Sequence, residues 1–132
     1  MDSENVVIFL INGKEYALPL DKVVSIEVIE KIYRDEEWPT HLYGLVELRG
    51  EHYPIIDLAH VFYEEKQTMG EKSRYILLNS NPYPVAVLVS EVKEIKPVSK
   101  EQLHDLPLIR NEKNRYITNV ISMDDRLILL MD

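Results

Sequence analysis

Apolar residues along this chain come in short bursts separated by turn residues, the pattern of β-strands. Val6-Val7-Ile8-Phe9-Leu10-Ile11 is β-branched and aromatic, and Asn12-Gly13 follows it directly before Lys14-Glu15-Tyr16-Ala17-Leu18. Asn-Gly between two such runs predicts a hairpin, because both central residues of the turn need positive φ. The burst Val23 to Ile29 places Val24, Ile26 and Val28 on one face and Ser25 and Glu27 on the other. Tyr43–Leu48 and His52–Ile56 form a second hairpin with Arg49-Gly50 at its turn. Arg74–Leu78, Tyr83–Val89, Arg115–Met123 and Arg126–Met131 bring the total to nine strands. The expected fold class is mostly β.

Two segments break the alternation. Asp57 can cap a short helix, with Leu58, Val61 and Phe62 facing inward and Glu64-Glu65-Lys66 at the solvated end. Ser99-Lys100-Glu101-Gln102 has the form of a capping box, and Pro107 keeps the helix it starts brief. Neither helix is long enough to cover a sheet, so both are expected to act as plugs or connectors. Of the four glycines, Gly13 and Gly50 fall at turns. Gly70 lies in the polar stretch Gln67–Ser73, the expected flexible loop, and Asn111–Asn114 forms a second polar loop. Gly44 falls inside a strand, which calls for a bulge or a close backbone approach. No internal repeat is visible. Many short strands at this spacing point to small barrels or a sandwich.

Composition narrows the function. With 132 residues, 45% hydrophobic, the chain can build a core as a single domain. A formal charge of −8 disfavours nucleic acid and anionic membrane surfaces as partners, since both need a basic face. The absence of cysteine excludes disulfides, thiolate metal sites and cysteine nucleophiles. The amino terminus Met1-Asp2-Ser3-Glu4-Asn5 is acidic, unlike a signal peptide. Uncharged stretches such as Pro82–Ser90 run to about ten residues, against roughly 20 for a membrane helix. A soluble cytoplasmic protein without membrane insertion is the expectation.

Catalytic chemistry finds little support. His41, His52, His60 and His104 lack the i,i+4 spacing of a zinc protease, so no metal is expected. Asp57 and His60 stand one helical turn apart and could form an acid–base pair, although a solvated helix start explains them equally well. No glycine-flanked serine elbow or phosphate-cradling loop can be drawn. The 23 carboxylates, Arg34-Asp35-Glu36-Glu37 among them, read as solvated faces. No enzyme and no cofactor are expected.

The informative stretch runs from Tyr43 to Leu58: strand, Arg-Gly turn, a second strand containing Pro54, and a helix cap. Proline removes a ladder donor, so the second strand is expected at an edge or bulged at Pro54. Arg49 brings five donors and a fixed charge to an acidic protein. It could bond nearby carbonyls or a carboxylate such as Asp57, or it could anchor a protein partner.

The run Gly44 to Leu58, with its Leu48-Arg49-Gly50 and Pro54-Ile55-Ile56-Asp57-Leu58, resembles the signature of the CheW-like domain family. Phe9 to Leu20 is similar to the family's opening hairpin, Val23–Ile26 to its next strand, and Val87–Val92 and Leu127–Asp132 to later ones. The resemblance implies one domain over residues 1–132, comprising two intertwined SH3-like five-stranded β-barrels packed together, with one or two short helices. It implies a non-enzymatic adaptor that couples chemoreceptors to the histidine autokinase CheA. Partners would be the regulatory domain of that kinase and the cytoplasmic hairpin tip of methyl-accepting receptors, with recruitment to the inner membrane face through receptor arrays. By position, Val23, Ile26, Gly44, Arg49 and Val92 would bind receptor; the resemblance names no kinase-binding residue. A side chain at Gly44 would obstruct the docking helix. Ser25 stands where the family often has an acidic residue, Glu47 where asparagine is usual, and Asn119 where glycine is common. These departures keep open a second function, a scaffold or decoy of another motility or development pathway that binds kinase or receptor without coupling them.

Overall fold

A computed structural model of the chain describes residues 3–80, 82–105 and 117–131. The strands are β1 (Ser3–Ile11), β2 (Lys14–Pro19), β3 (Val23–Val28), β4 (Ile32–Tyr33), β5 (Leu42–Leu48), β6 (Glu51–Asp57), β7 (Arg74–Leu78), β8 (Val85–Val89), β9 (Glu91–Ser99), β10 (Leu103–Asp105), β11 (Ile117–Met123) and β12 (Arg126–Met131). Among the described residues one α-helix, α1 (Leu58–Tyr63), follows β6, and 3-10 turns occupy Leu20–Lys22 and Lys100–Gln102. All nine predicted strands are present. The loop Asn111–Asn114, Pro107, and the first residues of the strand predicted from Arg115 lie outside the described residues.

The strands form two six-stranded sheets, β10-β11-β12-β2-β1-β9 and β3-β7-β8-β6-β5-β4. In each sheet the two edge strands are consecutive in the chain. Three residues separate Val28 of β3 from Ile32 of β4, and the turn Lys100–Gln102 separates β9 from β10. Such a link spans at most about 14 Å, so each sheet must curl until its edges approach, and two small barrels result. Counting each bent edge pair as one strand, each barrel has the five strands expected. The first barrel takes β1, β2 and β9–β12; β3–β8 form the second.

Three apolar clusters hold this arrangement. Val6, Ile8, Ala17, Ile121 and Ile128 fill the first barrel, and Val46, Ile55, Tyr75, Leu77 and Leu88 fill the second. A third lies between the barrels, with Phe9, Ile11, Tyr16 and Leu18 meeting Ile76, Val87 and Val89, and with Leu58, Ala59 and Phe62 of α1 as a plug. Burial of apolar area is the main source of stability here. Tyr16 stacks against both Phe9 and Phe62, and its hydroxyl meets that of Tyr63. Burial, followed by the Tyr63 contact, pushes the Tyr16 phenol well above its usual range.

The structure differs from the expectation in several places. β9 escapes the apolar-burst criterion because Lys93, Glu94, Lys96 and Pro97 interrupt it. It is an edge strand, where charge and proline block further pairing. The two-residue β4 and three-residue β10 are too short to carry a pattern. At the capping box, Gln102 Oε1 accepts from the Ser99 backbone N–H at 2.9 Å, but the chain makes only one 3-10 turn before β10 begins at Leu103. Pro54 does not mark an edge strand, since β6 lies between β5 and β8. Parallel pairing with β8 begins only at Ile55, so Pro54 sits just before the missing donor would matter. The bulge in the β5–β6 ladder falls at Tyr43, between Leu42 and Gly44.

The two barrels are also a repeat, which no sequence feature shows. Reading β9-β10-β11-β12 with β1-β2 against β3-β4-β5-β6 with β7-β8 gives the same strand order, with one parallel pair in each sheet, β12 with β2 and β6 with β8. The registers agree as well. Lys93 is the extra residue in the β1–β9 ladder and Val24 in the β3–β7 ladder. Thr118 and Tyr43 are the extra residues in β11 and β5. Val92 therefore corresponds to Val23, Ile95 to Ile26, Asn119 to Gly44, and the turn Asp124-Asp125 to Arg49-Gly50. One barrel is a circular permutation of the other, since its hairpin β1–β2 precedes the other four strands instead of following them.

Candidate functional site

The candidate residues sit on β3, on the β5–β6 hairpin and on β9. Along β3 the side chains alternate, but the apolar ones are exposed: Val24 55%, Ile26 37% and Val28 55%. Ser25 and Glu27 pair with Leu77 and Tyr75, which belong to the interior of the second barrel. Ile26 pairs with Ile76 and Val23 with Leu78, which face the inter-barrel cluster. Directly paired residues share a sheet face, so Val23 and Ile26, three apart, lie on the same outer face. The bulge at Val24 makes this possible by absorbing one residue of the alternation. The result is an apolar strip at the rim of the inter-barrel core.

Val23 and Val92 both pack against that core. They are equivalent residues of the repeat, each immediately preceding a bulge. Ile26 is thus joined to Val23 on one barrel, and Val92 contributes from the other.

Arg49 lies at the mouth of the second barrel. Its φ is 52° and that of Gly50 is 83°, so both turn residues adopt the left-handed conformation of a type I′ hairpin. Asparagine or glycine would be easier at position 49 than arginine. The arginine side chain is 75% exposed, and its Nη2 stands 4.0 Å from Glu27 Oε2 on β3. Its carboxylate neighbour is therefore Glu27; Asp57 lies at the opposite end of β6 from this turn. Tyr75 stands beneath the pair. Burial, then the Glu27 charge, raises its phenol pKa, and Arg49 opposes the shift. The equivalent pair on the first barrel is Lys96–Asp124, 3.1 Å apart, with the two charges exchanged.

Gly44 is set apart from these residues. It is buried, and a Cβ there would stand 2.8 Å from Tyr33 O and 2.9 Å from both Ile32 Cγ1 and Cδ1. The close approach that demands glycine is made by β4 of this chain. The exposed strip also takes in Val24 and Val28, which the family resemblance does not place at the receptor site, and Tyr33 of β4 is exposed as well. Alternation on β3 was legible, but its polarity was not, because the bulge and the curl of the sheet decide which face is covered.

Asp57 serves structure. Its Oδ1 accepts from Ala59 N at 3.0 Å as a helix cap and from Gln67 Nε2 at 3.0 Å. His60 turns instead to Thr40, with Nε2 2.5 Å from Oγ1, so no Asp57–His60 acid–base pair forms. Among the described residues no group of three or more His, Asp or Glu side chains could hold a metal ion, and no helix is long and apolar enough to cross a membrane.

Comparison with known proteins agrees with this architecture. The family model of the CheW-like domain matches residues 5–132. The chain is 25% identical to the chemotaxis protein CheW of Bacillus subtilis over 130 residues, 98% of this chain and 83% of that protein. It is 27% identical to CheW of Klebsiella aerogenes over 127 residues, covering 96% and 76% of the two chains. Its fold superposes on the crystal structure of the scaffolding protein TtCheW from Thermoanaerobacter tengcongensis with a TM-score of 0.89, at 23% identity, covering 100% of this chain and 90% of the other. With its double barrel, its Leu-Arg-Gly turn and this match over nearly the whole length, the chain belongs to the CheW-like domain family.

Proposed function

We propose that this protein is a chemotaxis coupling adaptor, which holds the cytoplasmic hairpin tip of chemoreceptors and binds the regulatory domain of the kinase CheA. The observation that carries the reading is the strip Val24-Ile26-Val28. It is an exposed row of β-branched side chains at the rim of a core, beside an exposed arginine held in a strained turn. An apolar strip with a fixed cation at its end suits the face of an amphipathic helix that carries one acidic or carbonyl anchor. Val23 and Val92 would line the floor and Ile26 the wall. Arg49 would supply the polar anchor at a position where arginine makes the turn less stable. Gly44 would act indirectly, by letting β4 close under the hairpin. The kinase would meet a barrel end, and the complex would gather at the inner membrane face through the receptors. The activity is assembly, without catalysis.

A second reading, a scaffold or decoy that binds one partner without coupling, is favoured by Ser25. Its Oγ is buried with no hydrogen-bond partner among the described residues, at a position where the family often places a charge. The test is a binding assay with a chemoreceptor cytoplasmic fragment and the kinase regulatory domain, separately and together, with kinase activity as the readout. Binding to both with altered kinase activity is the outcome expected of the adaptor. Binding to kinase alone, with coupling restored by Ser25→Glu and Glu47→Asn, would establish the second reading. Binding to neither would refute both.

A further inference from the structure

The chain passes between the barrels at two places among the described residues: through the turn Leu20–Lys22, and through a single residue, Ser90, between β8 and β9. The inter-barrel cluster resists separation of the barrels, but apolar contact is non-directional. It does not by itself fix their mutual angle. Rotation about the line through the two crossings is the motion that the backbone leaves easiest.

A polar chain lies across that motion, buried around Gln67, part-buried at Ser90 and exposed at the Asn12 side chain. Gln67 is 7% exposed and sits in the segment expected to be a flexible loop. Its Nε2 donates to Asp57 Oδ1 at 3.0 Å and to Leu88 O at 2.7 Å, and its backbone N–H donates to Asp57 Oδ2 at 3.3 Å, all on the second barrel. Its Oε1 accepts from Ser90 Oγ at 3.1 Å. Ser90 Oγ in turn accepts from Asn12 N at 3.0 Å, in the β1–β2 turn of the first barrel, while Ser90 N donates to Leu10 O at 2.8 Å. Asn12 closes the circuit from the other side. Its Nδ2 donates to Lys66 O at 3.1 Å and its Oδ1 accepts from Thr68 N at 2.9 Å, on either side of Gln67.

We infer that Gln67 is a positioning residue that locks the angle between the barrels, and with it the spacing of Val23 and Ile26 on one barrel from Val92 on the other. Hydrogen bonds are directional and costly to leave unmade when buried. A glutamine bonded on four sides, between the helix cap of one barrel and the crossover to the next, adds a directional constraint to the ring stacking and the Tyr16–Tyr63 contact of the inter-barrel cluster.

The test uses the absence of native cysteine. Spin labels at Glu51→Cys on the second barrel and Leu127→Cys on the first report the inter-barrel distance in the full-length protein. Gln67→Ala and Ser90→Ala are each expected to widen that distance distribution about twofold while both barrels stay folded by circular dichroism. Lys66→Ala contributes only its unchanged backbone carbonyl to the circuit and should leave the distribution as in the parent. Ser90→Ala removes one bridge without exposing Asp57, so it decides the matter if Gln67→Ala fails to fold. A distribution in folded Ser90→Ala as narrow as the parent's would overturn the inference.

Discussion

Arg49 stands 4.0 Å from Glu27 across the mouth of the second barrel, and the internal repeat places Lys96 and Asp124 in the same relationship, 3.1 Å apart, across the mouth of the first. In both, a residue of the closing hairpin turn faces a residue two positions beyond a bulge-adjacent serine or glutamate. The geometry belongs to the barrel and the sign of each charge to the individual site. A cation on the turn is therefore a choice made at Arg49. An anion in that position, as at Asp124, also closes a barrel.

Arginine at a left-handed turn position is conformationally expensive. Arg49→Asn should stabilise the protein by about 0.5–1 kcal/mol, because the exposed ion pair to Glu27 offsets little of the strain. The same variant should bind receptor more weakly by about 1–3 kcal/mol. Thermal melts and titration with a receptor fragment measure the two effects. Loss of stability without loss of binding would assign Arg49 a structural role.

The strip on β3 is exposed, so polar replacements there should be nearly silent in the free protein. Val28→Ser is expected to change unfolding free energy by no more than about 0.5 kcal/mol, apart from a small loss of strand propensity. Receptor binding should fall several-fold. Chemical denaturation beside the binding assay separates the two; equal affinity in the folded variant would remove Val28 from the docking surface.

Gly44→Ala places a methyl 2.8 Å from a backbone carbonyl, that of Tyr33. Because that atom cannot be trimmed, β4 must shift, and a loss of about 1–3 kcal/mol is expected. Adding Ile32→Ala should not restore stability, although it removes the two side-chain contacts. Full rescue in the double variant would show that side-chain crowding alone excludes alanine.

The first barrel mouth should make acid stability pH-dependent. The hydrogen bond from Arg126 holds the Glu94 carboxyl below its usual range; desolvation opposes it, and the Lys96 and Arg126 charges add to the lowering. A depressed folded pKa contributes stability that is present above the unfolded carboxylate range and is lost as pH falls through the folded value. Stability of the parent should therefore decline below about pH 5 more steeply than that of Glu94→Gln. Urea midpoints across the acid range measure the difference, and parallel curves would exclude Glu94 as a contributor.

Much of this was legible along the chain. Asn12-Gly13 marked a hairpin because both residues take positive φ readily, and Arg49-Gly50 marked another because it stands between two strand-like runs. Asp57 marked a helix because its carboxylate can reach Ala59 N. These relations hold within a few residues, so they survive in the order of amino acids. Asp124-Asp125 closes a third such turn; the strands on either side predicted the hairpin there.

The sequence by itself determined nine of the twelve strands among the described residues, their hairpin turns, the Asp57 helix cap, and through the Gly44–Leu58 run the family. Only the tertiary structure decided which side of β3 meets water, that Gly44 is reserved for β4, that Gln67 is buried, and that the two barrels repeat each other. The physical reason is range. Alternation records that two faces differ, but which one is covered depends on a bulge, the curl of the sheet and a partner strand some 50 residues away, such as β7. Burial of Gln67 likewise depends on Asp57 from one stretch and Leu88 and Ser90 from another converging on it. The repeat escaped notice because permutation changes the order in which its parts appear, while barrel packing requires only apolar residues at matching positions.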